Sequence, residues 1–151
     1  MANLTLEEFA TIVRDLVGMP SMDLAAGRAA GPEPGSYLLL LDIAEPLTIH
    51  IKNRDWRLSA GLFVYAGSAH GAGGLKARLR RHFRKKKKPH WHIDRITGEV
   101  RAMHALCYQG VSECALCAKL IGSDRFSLPI PRFGSSDCKS CPAHLLELTG
   151  A

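Results

Sequence analysis

The sequence predicts a mixed α/β domain of the α+β type with an N-terminal helical extension. Three observations carry that prediction. Apolar runs of strand length stand at residues 36–43, 47–52 and 62–66. Apolar residues recur at helical spacing over 6–17 and 73–86. The 46% hydrophobic and 23% charged content of the 151 residues is that of one ordinary globular domain.

In chain order, Thr5 and Glu8 make a capping-box start. Leu6, Phe9, Ile12, Val13, Leu16 and Val17 then follow at helical spacing, which predicts an amphipathic helix over 6–17. Residues 18–35 are rich in Gly, Pro and Ala and read as a linker. Residues 1–34 are thus expected to be a helix and linker, and 35–151 the main domain. Residues 36–43 are almost continuously apolar, as in a strand buried on both faces, whereas 47–52 alternate as in a half-buried strand. Asn53, Arg54 and Asp55 read as a turn, and 62–66 as the third strand. Helices are expected over 73–86 and 91–97, broken by Pro89. Residues 100–108 read as a strand. Ser112 and Glu113 open a helix to about residue 121, residues 127–137 read as irregular, and 144–148 read as a short closing strand.

Net charge is +6, and residues 76–95 hold ten of the twenty Lys and Arg, with Asp94 the one acid among them. Clustered charge points to a polyanionic partner, nucleic acid ahead of an anionic membrane surface. Lys76, Arg80, Arg81, Arg84 and the run Lys85, Lys86, Lys87, Lys88 are candidate phosphate-backbone contacts. His90 and His92 can contact phosphate or ligate a metal, and Trp91 either anchors its segment or stacks on a base. Arg78 and His82, four residues apart, share a helix face, and a guanidinium suits a phosphate because its planar fork donates two hydrogen bonds. Glycines 71, 73 and 74 lack the spacing of a phosphate-binding loop and read as a flexible helix entry.

Five cysteines are an odd number, and MANLTLEEF does not read as a signal peptide, so reduced thiols or metal ligands in a cytoplasmic protein are expected. Cys114-x2-Cys117 and Cys138-x2-Cys141, with His144 beyond, have zinc-ligand spacing. A structural zinc ion would use Cys138, Cys141 and His144 with either Cys114 or Cys117. The competing reading is ordinary buried thiols.

Taken together, these pieces resemble the GIY-YIG nuclease superfamily, and more closely its small stand-alone Uri-type branch, over about residues 35–148. The first motif stands here as Gly35-Ser36-Tyr37 and the second as Tyr65-Ala66-Gly67; Arg78 with His82 matches the helix element, and Glu113 the metal-binding acid that opens a later helix. GGLKARLRRH, KKPHWHID and FGSSDC resemble branch-specific stretches. The segment between the two tyrosines is longer than the superfamily's, so 44–60 reads as an inserted hairpin, and a late asparagine of the superfamily has no match.

The resemblance implies a small antiparallel sheet flanked by helices. It also implies catalytic roles for Tyr37, Tyr65, Arg78, His82 and Glu113. Mg²⁺ or Mn²⁺ on Glu113 would steady the scissile phosphate, Tyr37 or Tyr65 would help to deprotonate water, and Arg78 would neutralise charge on the phosphate. The leading expectation is therefore a metal-dependent endonuclease acting on DNA, with structured or single-stranded RNA as the other substrate left open. The alternatives are a nucleic-acid-binding module with weak or lost catalysis, and a zinc-stabilised interaction domain.

Overall fold

Strand β2 (Gly35–Ile43) has eight of its nine residues buried, and the rest of the chain is layered on its two faces. In the computed structural model residues 4–25, 31–134 and 140–149 are described. The remaining elements are α1 (Leu6–Val17), β1 (Met22–Ala25), β3 (Leu47–Ile51), β4 (Arg54–Leu58), β5 (Gly61–Ala69), α2 (Gly74–Phe83), α3 (Asp94–Thr97), β6 (Ala102–Tyr108), α4 (Glu113–Gly122), β7 (Phe126–Ser127) and β8 (Leu145–Leu148). Six strands form one antiparallel sheet in the order β1-β6-β2-β5-β8-β7, and β3 pairs with β4 separately. The α+β class and the antiparallel sheet with helices on its faces are as expected.

Alternation along β2 sends its side chains into two cores. Tyr37, Leu39 and Leu41 face Leu75 and Leu79 of α2, Ile96 of α3, and Ile49 and Leu58 of the hairpin. Leu38 and Leu40 face Phe9 and Val13 of α1, and Leu116 and Leu120 of α4. Within α2, Leu75 and Leu79 are buried and Phe83 is half-buried, so the predicted apolar row is present. The α1 capping box forms as expected, with Thr5 and Glu8 each satisfying the other's backbone N–H at 3.0 Å. Among the described residues no helix is long and apolar enough to cross a membrane.

Four local expectations need correction. The segment read as a linker contains β1, which pairs with β6 from Met22↔Cys107 to Ala25↔His104. Asp23 ties this strand down through Arg14 and His104. The turn expected at 53–55 lies at Lys52 and Asn53, both at positive φ (50° and 63°), as in the tight turns that favour hairpins. Arg54 and Asp55 begin β4, so 44–60 is the hairpin the sequence suggested. Helix α2 ends at Phe83 rather than 86, and α3 is only four residues long.

The start of α2 has no side-chain cap. Main chain replaces it: Leu75 N–H donates to Glu33 O (2.9 Å) and Lys76 N–H to Gly31 O (2.8 Å). Gly74 sits under this strap at φ +55°, where a Cβ would lie 2.1 Å from Pro32 O. Glycine is thus required there by both conformation and space.

Candidate active site

Tyr37 and Tyr65 belong to neighbouring strands. The β2–β5 register puts Gly67 directly opposite Tyr37. The Tyr37 ring lies over that glycine, since a Cβ on Gly67 would be 2.4 Å from Tyr37 Oη and 2.5 Å from Cζ. Gly67 thus makes room for the buried phenol. Tyr37 Oη is hydrogen-bonded to His82 Nε2 at 2.7 Å. The half-buried Tyr65 meets the same imidazole edge-on (6.3 Å between centroids) and Phe133 on its other side (6.1 Å). His82 therefore stands between the two tyrosines, and it is 1% exposed.

Helix α2 presents Arg78 one turn before His82. The Arg78 guanidinium lies 4.3 Å from the centre of the Trp91 ring, with Arg81 at 5.1 Å. Arg78, Arg81 and Trp91, with Gly71 and Gly74, line a cleft of about 240 Å³. Trp91 thus anchors its segment by carrying two guanidiniums. Asp94, 3% exposed, fixes this arrangement by accepting from Arg81 Nη2 (2.8 Å), His90 N–H (2.9 Å) and Trp91 N–H (3.0 Å).

Glu113 opens α4 behind the N-cap Ser112, whose Oγ accepts from Ala115 N–H. It reaches the sheet where β8 stops: β8 pairs with β5 only from Phe63 to Tyr65, and Ala66 N–H then donates to His144 O (2.9 Å). In this notch Ser68 Oγ donates to Glu113 Oε1 at 3.4 Å, and His144 Nδ1 lies 3.6 Å from Oε2. Arg78 and Glu113 both act on the two phenols. Burial, then repulsion from Tyr65, pushes the Tyr37 phenol far above its usual range, Arg78 opposes this, and Glu113 adds to it. Burial, then Glu113, pushes Tyr65 up to about 12 against the pull of Arg78. The structure thus brings Tyr37, Tyr65, Arg78, His82 and Glu113 into one neighbourhood. Glu113 is a partly exposed hard oxygen donor beside a hydroxyl, which fits a cation that keeps most of its water and takes one carboxylate.

Burial, followed by the charge of Lys87, pushes His82 down to about 3, so the ring is neutral between two phenols. This has a consequence for pH. At pH above about 6.5 neither the folded nor the unfolded state protonates this ring, and between 6.5 and 3 only the unfolded state does. Stability present above 6.5 is therefore lost as pH falls toward 3. Urea titrations of wild type and His82→Gln across that window are expected to converge by at least about 1 kcal/mol as pH falls. Parallel pH dependences would contradict the assignment.

The basic residues divide into two groups. Lys87 Nζ donates to Arg81 O (2.9 Å) and His82 O (3.0 Å), closing the C-terminus of α2. Burial leads the causes that push it down to about 8. Lys85 Nζ donates to Val100 O (2.6 Å), and Arg81 is held by Asp94 and Lys88 O. Lys76, Arg80, Arg84, Lys86, Lys88, His90 and His92 have exposed side chains. A second cleft of about 270 Å³ runs from His92 past Lys52, Arg54 and Trp56 of the hairpin to Phe133, which packs on Tyr65.

Among the cysteines, Cys114, Cys141 and His144 bring ligand atoms within 4.8 Å of one another. Cys117 is not in that group, and its Sγ donates to Ala143 O at 3.1 Å. Cys138, and most of the FGSSDC stretch, lie outside the described residues. Sequence reasoning missed Ser68, the part of Gly67 in seating Tyr37, and the link from His144 to Glu113. The motif glycine after Tyr65 was the one signal that could have found the second.

A family model described as domain of unknown function DUF123 matches residues 36–151. No curated protein and no solved structure matches the chain.

Proposed function

The chain belongs to the DUF123 family, and from the geometry of its site we propose that it is a divalent-metal-dependent endonuclease of the GIY-YIG type, hydrolysing phosphodiester bonds of DNA in preference to RNA. One observation carries the reading: the buried Tyr37 and the half-buried Tyr65 share one histidine and both feel a guanidinium and a partly exposed carboxylate, beside a surface rich in lysine and arginine. Phosphodiester hydrolysis needs cationic stabilisation of the scissile phosphate and a deprotonated water. Arg78, steadied on Trp91, offers a planar fork to phosphate oxygens at the mouth of its cleft.

Tyr37 is held in place by its hydrogen bond to the neutral His82. Tyr65, closer to Glu113 in its electrostatics, is the second candidate to orient water. Glu113 would hold Mg²⁺ or Mn²⁺. Bound there, such a cation would supply positive charge to the phosphate and would offset the repulsion by which Glu113 raises both phenols. The exposed residues Lys76, Arg80, Arg84, Lys86 and Lys88 supply a sequence-blind grip on the backbone. Residues 35–151 form the nuclease unit in this reading, and a cytoplasmic location goes with it.

The second reading, a nucleic-acid-binding module without turnover, is favoured by the raised phenols alone. A nicking assay on plasmid and branched DNA with Mg²⁺ or Mn²⁺ separates the two. Wild type is expected to cleave, and Glu113→Gln to lose about 10²-fold or more in rate. Wild-type protein that binds DNA but cleaves with neither metal would establish the binding module. A Glu113→Gln variant as active as wild type would remove Glu113 from the mechanism.

A further inference from the structure

We infer that Cys114, Cys141 and His144 form a site for a thiophilic divalent cation, Zn²⁺ above all, and that His144 links this site to Glu113. Cys114 is in the first turn of α4, Cys141 lies in the segment leading to β8, and His144 stands just before that strand. Two separate pieces of backbone, the first turn of α4 and the segment before β8, thus deliver two sulfurs and an imidazole nitrogen to one point, with all ligand atoms within 4.8 Å of one another. Cys114 Sγ and His144 Nε2 are 3.9 Å apart. Tetrahedral zinc with bonds of about 2.3 Å to sulfur and 2.0 Å to nitrogen needs about 3.5 Å between such atoms. Small side-chain rotations therefore close the set around an ion.

The backbone beneath the ligands is fixed. Arg132 Nη1 donates to Cys141 O (3.0 Å), Cys117 Sγ to Ala143 O (3.1 Å), His144 N–H to Phe133 O (2.7 Å) and Ala66 N–H to His144 O (2.9 Å). Cys141 and His144 are buried, at 5% and 1% exposure. Two thiolates with a neutral imidazole balance a divalent cation, so the assembled group is neutral and tolerable in the interior.

The other ring nitrogen of His144 faces Glu113. Its Nε2 is turned to Cys114, while its buried Nδ1 has no hydrogen-bond partner among the described residues and lies 3.6 Å from Glu113 Oε2. A metal on Nε2 forces the ring proton onto Nδ1, where it can donate to that carboxylate. Carboxylate, histidine and metal then form a line in which the soft-metal site orients Glu113. His144 is thus a positioning residue for Glu113. This second half rests on the proposed role of Glu113 as the hard-metal ligand, whereas the zinc site does not.

The test uses the full chain purified without added metal or chelator. Elemental analysis is expected to give about one zinc per chain for wild type and Cys117→Ser, and a large loss for Cys114→Ser and Cys141→Ser. Cobalt exchange is expected to give the intense visible bands of a tetrahedral thiolate site in wild type, which guards against loss through misfolding of the variants. Wild type with little zinc and no such bands overturns the site, as does equal loss in Cys117→Ser.

For the link to Glu113, His144→Cys is expected to keep zinc while weakening Mn²⁺ binding, followed by the paramagnetic signal of the ion, by about 10-fold. Unchanged Mn²⁺ affinity overturns the link. Wild type that holds zinc but binds no Mn²⁺ overturns the link and the nuclease reading together, and the zinc site stands.

Discussion

Arg78→Ala is expected to lower the rate of DNA cleavage by about 10²–10³-fold while leaving the fold intact. The rate loss follows from removing the one guanidinium that acts on both phenols and lines the cleft beside Trp91. The fold is expected to survive because Arg78 is only partly buried and its contact with Trp91 at 4.3 Å is worth about 0.5–1 kcal/mol. Arg78→Lys keeps the charge but loses the planar fork, so it should recover only part of the rate. Single-turnover cleavage together with thermal melts checks both halves. A loss below about 10-fold would take Arg78 out of the reaction centre.

Gly67→Ala is expected to cost about 1–3 kcal/mol in stability and to remove most activity with it. The added methyl would stand 2.4–2.8 Å from Oη, Cζ and Cε2 of Tyr37. That ring is 1% exposed and bonded to His82, so it has nowhere to retreat. Trimming the ring should relieve the clash. A cycle of Gly67→Ala with Tyr37→Leu, followed by urea denaturation, is therefore expected to show a coupling of at least about 1 kcal/mol. Additive effects would mean that Gly67 matters for strand geometry and not for seating the phenol.

Much of the architecture could be read from the sequence because local signals agreed with tertiary ones. Strand β2 is apolar on both faces because α2 covers one and α1 with α4 the other. Strand β1 could not be read, since Met22–Ala25 lies among glycines and prolines and takes its conformation from pairing with β6. The first half of β4 looked like a turn because Arg54 and Asp55 are charged and exposed, and strand identity there comes from the partner strand.

At the site, the residue types were legible and their contacts were not. Tyr37 and His82 are 45 positions apart and meet only because α2 packs across β2. Sequence spacing left Cys114 and Cys117 equivalent, whereas the packing of α4 directs one toward His144 and the other to Ala143 O. The lysine run looked uniform, yet Lys85 and Lys87 are committed to main-chain carbonyls.

The sheet order described above bears on association. Its outermost strands are β1, four residues long, and β7, only two. The longest strands, β2 and β5, lie inside, where each has a neighbour on both sides. A second chain approaching either rim therefore finds too short a ladder of amides and carbonyls to extend the sheet. Edge-to-edge pairing of this sheet between copies of the chain is thereby disfavoured.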